Sequence, residues 1–286
     1  MNLLFTVACL PALSAPGAPL VVNLPAGRDN TLFENTTGAL SNGSGQFFFA
    51  GRTGQLTDSR RRGLIRFDVG AAIPAGSTIH GASLRLHMSL SVSGPVTTTL
   101  HRVTADWGES TSDAAGAEGT GAPSAPGDAT WVHAFYPDSP WAAPGGAFEP
   151  AASGSTVVDL AVGDYSWAGT PAMIADVQGW LDVPAENFGW VVIADEAVIG
   201  GAKRFDSREN PDPLVRPVLV VEYLPPMLPG DANCDGQVDE ADIDLFVQAL
   251  LEPGAFGGCD LSRADVNGDG LLDAGDIPTL LQRIGV

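Results

Sequence analysis

Apolar and polar residues alternate along most of this chain in stretches too short for helices. LVVNL at 20–24, GQFFFAG at 45–51, GLIRFDV at 63–69 and HGASLRLHMSL at 80–90 are followed by TTTLHRV at 97–103, STVVDL at 155–160, FGWVVIAD at 188–195 and PVLVVEY at 217–223. Leu84, Leu86 and Met88 alternate with Arg85 and His87, so one face of that stretch enters a core while the other meets water. Gly, Pro and Asn punctuate the gaps. The pattern predicts a mainly β fold over residues 20–224, a jelly-roll-like antiparallel β-sandwich. One short helix interrupts it: Thr170 can cap, Pro171 can open the first turn, and Met173, Ile174, Val177, Trp180 and Leu181 share a face directed at the core. After a Pro-rich linker at 225–229 the period changes. Ile243, Val247 and Leu250, then Ile277, Leu281 and Ile284, recur at helical spacing, which predicts a small α-helical module over 230–286 with those residues as its apolar faces.

Composition sharpens this division. Among 286 residues there are 35 Gly and 22 Pro, and charged residues make up only 17%, as short strands and many turns require. Net charge is −20, so nucleic acid and anionic lipid start against repulsion and are set aside as partners. From Pro229 onward 12 Asp and Glu face 2 Arg, and this fifth of the chain carries half the net charge. Residues 1–15, MNLLFTVACLPALSA, have the apolar run and small-residue end of a signal peptide, and no later stretch is long and apolar enough to cross a bilayer. The expected location is therefore secreted or at the extracellular surface. Cys9 leaves with the signal; the remaining Cys234 and Cys259 are expected to form a disulfide in an oxidising compartment, the alternative being two free thiols.

The acidic segment has a strict order. Asp231, Asn233, Asp235, Gly236, Asp239 and Asp242 occupy positions 1, 3, 5, 6, 9 and 12 of a twelve-residue loop, and 34 residues later Asp265, Asn267, Asp269, Gly270, Asp273 and Asp276 repeat it. This is the spacing with which an EF-hand-like loop surrounds calcium, a cation that takes six to eight hard oxygens; Gln237 and Leu271 at position 7 offer backbone carbonyls. Two calcium ions are expected, as part of the fold, because four Asp in each loop repel one another without metal. Pro229 and Gly230 leave no room for a long entering helix, so each unit is a loop followed by a helix. This segment resembles a type I dockerin, which implies docking onto a cohesin in extracellular polysaccharide-degrading assemblies. The hydroxyl pair frequent after the ninth loop position is replaced by Glu240-Ala241 and Ala274-Gly275, and the partner stays open between a cohesin-like protein, self-association and none.

RGLIRFDV with IPAGSTIHGASLRL, HRVTADWGES, ATWVHAF with PWAAPGGAF, VQGWLDVPAENFGWVV, and KRFDSREN followed by RPVLVVEY occur in that order between Arg28 and Tyr223. Together they resemble the DNRLRE family of extracellular β-sandwich domains. The resemblance implies a non-catalytic module, sometimes carbohydrate-binding. Aromatic faces are the usual sugar contacts: Trp167 and Tyr165 lie in a Gly-rich loop, and Trp107 is a third candidate, whereas Trp131 and Trp141 lie in motifs suited to packing. Arg60 and Arg62, within a cluster with Arg61 and Arg66, either take an acidic polysaccharide or pair with the protein's own carboxylates. Asp29, Glu34 and Asn42 are candidates for a further structural calcium in the sandwich. The leading expectation is a secreted, non-catalytic protein for polysaccharide binding or adhesion, with no catalytic residues. A structural matrix or filament subunit, and a glycan-cleaving enzyme using Asp106 and Glu109, are the alternatives.

Overall fold

The computed structural model describes residues 19–258 and 260–285. The expectations for residues 1–15 and for Cys259 lie outside them. Contacts divide the chain into a β unit, Leu20–Tyr223, and a C-terminal unit that begins at Leu224. Among the described residues no helix is long and apolar enough to cross a membrane.

The strands are β1 Leu20–Phe33, β2 Leu40–Ser41, β3 Phe47–Arg52, β4 Arg60–Phe67, β5 Thr78–Ser91, β6 Val96–Arg102, β7 Ala122–Pro123, β8 His133–Phe135, β9 Ser139–Pro140, β10 Gly154–Val158, β11 Gly163–Trp167, β12 Trp190–Ala194, β13 Lys203–Asp206 and β14 Val218–Leu224. The helices are α1 Val69–Ala72, α2 Pro171–Asp182, α3 Ile243–Leu251 and α4 Asp276–Ile284. Each of the eight alternating stretches contains a strand. Short strands without a long alternation, such as β11 and β13, and the second half of β1 carried no comparable signal.

The β unit is mostly β with few short helices, and its main sheet closes on itself. β1 does this by changing partners. Leu20–Pro25 pair with Tyr223–Val218 of β14, a register shift falls between Ala26 and Arg28, and the strand then runs beside β4 as far as Phe33 opposite Arg61. The path β1-β14-β5-β13-β3-β4 thereby returns to β1, a closed barrel-like ring, while β12, β6 and β10 extend from β4, and β11 pairs with β5. β3 bends in the same way: Phe47–Ala50 face β13, whereas Gly51 and Arg52 face β4. Gly51 makes that bend at φ +109, and a Cβ there would stand 3.1 Å from Ala194 and from the Ala202 backbone.

Two hydrophobic clusters result. Inside the ring, Phe48, Ile65, Leu84, Leu86, Met88 and Phe205 meet Trp167 and Trp190. α2 adds Met173, Val177, Trp180 and Leu181, with Thr170 Oγ1 accepting the Met173 N–H at 3.1 Å as the expected cap. Trp180 lies edge-on to Trp190 at 4.6 Å, and the Trp190 indole N–H donates to Asp176 at 2.7 Å. On the opposite face of β1, β4 and β12, Leu32, Leu64 and Val191 are covered by Trp107, Trp131 and Trp141 from the long connection after β6.

The C-terminal unit has a small core of Phe246, Ala249, Ala264, Val266 and Leu280. This corrects the expected helix faces. Val247, Ile277 and Leu281 are exposed: α3 turns Phe246 and Ala249 inward, and α4 turns Leu280 inward and not its neighbour Leu281, a choice between adjacent apolar stripes that helical spacing alone did not make.

The packing of Trp180 makes α2 an integral part of the β unit. Trp180→Ala is expected to cost about 3–5 kcal/mol, read from urea unfolding followed by near-UV circular dichroism. A loss below about 1 kcal/mol would remove α2 from the core.

Candidate functional site

The two acidic loops share one framework of backbone bonds to their carboxylates. In the first, the Asp231 carboxylate accepts backbone N–H groups of Asp235 at 3.1 Å and Gly236 at 3.2 Å, and Asn233 Oδ1 accepts from Asp235 at 2.8 Å. Asp242 closes the loop by accepting from Asn233 at 3.1 Å and Asp239 at 2.9 Å. In the second, Asp265 accepts from Asp269 and Gly270, Asn267 from Asp269, and Asp276 from Asn267 at 3.1 Å and Asp273 at 3.0 Å. Asp235 and Asp269 receive the N–H of Gln237 and Leu271, which orients the position-7 residues. The tight turn needs left-handed backbone at positions 4 and 6. Gly268 and Gly270 supply it in the second loop at φ 76 and 83; in the first, Gly236 at φ 87 is preceded by Cys234 at φ 62, a conformation that disfavours a side chain.

The donor set fits calcium. Every candidate side-chain ligand is a hard oxygen, and Asp231, Asp242 and Asp276 are fully buried. Among the described residues, Asp231 is the loop carboxylate held in an ion pair, with Arg263 at 2.6 Å. The other buried carboxylates meet backbone N–H groups but no side-chain cation, an arrangement that a divalent ion would neutralise.

The glycan candidates are not brought together as expected. Trp167 and Trp107 are fully buried, with their indole N–H groups donating to the carbonyls of Thr98 at 2.9 Å and Phe188 at 2.8 Å. Neither presents a face to a ligand; both were consumed by the two cores. Tyr165 is half-buried and donates to the Ala161 carbonyl at 2.8 Å. Arg62 forms a fork with Glu196 at 2.7 and 3.0 Å and lies over Trp131 at 4.8 Å, while Arg60 spans Glu34 at 3.5 Å and Glu196 at 3.4 Å. The internal pairing of this cluster is the arrangement found. The carboxylates of the alternative enzyme reading are also tied: Asp106 to Arg28 at 3.2 Å, and Glu109 to Arg208 at 3.0 and 2.8 Å.

Asp29, Glu34 and Asn42 do not converge. Asn42 donates to Glu118 at 2.8 Å, and Glu34 accepts the N–H groups of Ser59 and Arg60. Asp29 instead meets Glu109 and Glu209, the three offering carboxylate oxygens within 4.8 Å of one another. These residues come from β1 and from the connections after β6 and β13, so no spacing in the chain announced them. Arg208 crosses the group, pairing with Glu109 and with Glu209 at 2.7 Å. Burial, then the charge of Glu209, holds Asp29 well above its ordinary range. Burial likewise raises Glu109 and, with the charge of Glu109 second, pushes Glu209 up to about 7.

Residues 229–285 match the family of the dockerin type I domain. No curated protein matches the chain.

Glu209 is raised in the folded state, so its contribution to stability is complete below the ordinary carboxyl range and lost as pH rises through about 7; the raised Asp29 and Glu109 act in the same direction. Thermal unfolding of the β unit, followed by tryptophan fluorescence in metal-free buffer, is expected to shift to lower temperature between pH 5 and 8. Glu209→Gln flattens that change; an equally steep profile in the variant would assign it elsewhere.

Proposed function

We propose that this chain is a secreted, non-catalytic protein in which a β unit of the DNRLRE type, a jelly-roll-like sandwich, binds extracellular polysaccharide. The type I dockerin, carrying two calcium ions and a Cys234–Cys259 disulfide, attaches it to a cohesin-like partner. The observation that carries the reading is the pair of matched loops, in which no side-chain cation among the described residues neutralises the buried carboxylates of Asp242 and Asp276. At the exposed side of this unit Val247 and Leu281, 34 residues apart and at equivalent places on α3 and α4, are 42% and 41% exposed, apolar surface suited to a partner protein.

For the β unit, support comes from the order of the DNRLRE-like motifs and from a cavity of about 220 Å³ lined by Glu34, Asn35, Thr36, Asp58, Trp131 and Pro144. Its mixture of acceptors, an amide and an aromatic edge suits a sugar's hydroxyls and apolar ring face. Its carboxylates, with Arg60 and Arg62 already paired, favour a neutral polysaccharide over an acidic one. The enzyme alternative is weaker because Asp106 and Glu109 are each engaged by an arginine. A structural-subunit reading keeps one observation: β10 and β11 end their sheet paths, and Val157, Leu160 and Val162 beside them are more than half exposed.

Chelation of the full chain with excess EDTA is expected to remove the helical far-UV signal of the C-terminal unit and added calcium to restore it. An unchanged spectrum would sink the calcium reading. In pull-downs with insoluble neutral polysaccharides the folded protein is retained, and Asp58→Ala lowers retention several-fold. Equal retention of the variant would move the site elsewhere; no retention on any polysaccharide would remove the binding function.

A further inference from the structure

The two loops share a framework of backbone bonds but differ at an ion pair. Arg263 lies in the short helical turn Leu261–Ala264, two residues before the second loop begins, yet its guanidinium reaches back to the first loop. Nη1 donates to Asp231 Oδ2 at 2.6 Å, with both side chains buried, at 5% and 0% exposure. The backbone fastens the same contact, since Gly230 N–H donates to the Arg263 carbonyl at 2.6 Å. The Arg263 Nε is buried without a hydrogen-bond partner, so the side chain is held there for its charge on Asp231 and not for a saturated set of bonds.

The second loop has no counterpart. The residue 34 positions before Arg263 is Pro229, and the first carboxylate of the second loop, Asp265, accepts from the backbone of Gly268, Asp269 and Gly270. Arg283, the other basic residue of this unit, donates to the carbonyls of Pro229 and Val266 and not to a loop carboxylate. Four Asp therefore face the second ion undiminished, whereas the first loop has four Asp and one fixed positive charge on its leading ligand.

Resting on the calcium reading above, we propose that Arg263 makes the loops unequal: it is an internal cation on the first ligand of loop 1, so loop 1 binds calcium more weakly than loop 2. Like charges repel strongly where water is excluded, and an ion entering loop 1 must share Asp231 with the guanidinium. In the absence of calcium the same pair links the second half of the unit to the first, and it neutralises an Asp231 that would otherwise be buried alone. Arg263 is thus a positioning residue that sets the order of filling, loop 2 and then loop 1.

Calorimetric titration of the full chain with calcium chloride tests this. Wild type gives two steps; no binding at all would fail the calcium reading and not this inference. Asp235→Asn leaves the tighter step and Asp269→Asn the weaker one, which assigns them to loop 2 and loop 1. Arg263→Gln tightens the loop 1 step by about tenfold and leaves loop 2 unchanged, while Arg263→Lys, which keeps the charge, preserves the inequality. Unchanged steps in Arg263→Gln, a weaker loop 1, or equal shifts of both loops would overturn it. Should Arg263→Gln not fold in saturating calcium, Pro229→Arg decides by placing a guanidinium at the equivalent position: loop 2 weakens about tenfold, and an unaltered loop 2 overturns the proposal.

Discussion

A carboxylate taken out of water must meet a cation, accept enough hydrogen bonds, or give up its charge. This chain carries 34 acidic residues against 14 basic ones, and the requirement shapes both of its units. The β unit has arginines to spend. Arg62 and Arg60 share Glu196, Arg28 holds Asp106, and Arg208 crosses the group of Asp29, Glu109 and Glu209. Burial and the neighbouring Glu109 also raise Glu209 to about 7, which favours its neutral form. The C-terminal unit has only two arginines, and one of them is committed to Asp231. Its loops instead gather hard oxygen donors at a spacing suited to calcium, a charge from outside the chain.

The β unit turns on a different economy, that of its tryptophans. Trp167, Trp180 and Trp190 fill the ring's interior, while Trp107, Trp131 and Trp141 seal the face that β1, β4 and β12 turn away from it. A sheet covered on both sides needs two sets of large apolar residues. The aromatic residues that looked available for sugar were required for packing, and each of the indoles of Trp107, Trp141, Trp167 and Trp190 also satisfies its N–H in the interior. The cavity lined by Asp58 and Asn35 is bounded by hydrogen-bonding groups instead, and the backbone of Asp58 there is left-handed at φ 51.

The chain's order of residues determined the features that depend on local geometry. Alternation located eight strands, Thr170 and Pro171 located α2, and residue spacing located both acidic loops, because a strand's period, a helix cap and a twelve-residue loop are each decided by neighbours in sequence. Periodicity was less informative in α3, whose apolar residues surround the helix and leave its inward stripe, Phe246 and Ala249, to be chosen by what packs against it.

Tertiary structure alone decided what depends on distant partners. The change of partner within β1 that closes the sheet, the burial of Trp107 and Trp167, the neutralisation of Arg60 and Arg62, and the meeting of Asp29 with Glu109 and Glu209 all join segments far apart in the chain. The same holds for Arg263 on Asp231, which breaks the equality that the repeat implied. Sequence determined that this protein carries two calcium-type loops beside a β domain, because those ligands lie within single turns of backbone. Only the fold decided which of its charges and aromatics remain free to act, because a side chain's availability depends on what the rest of the chain brings against it.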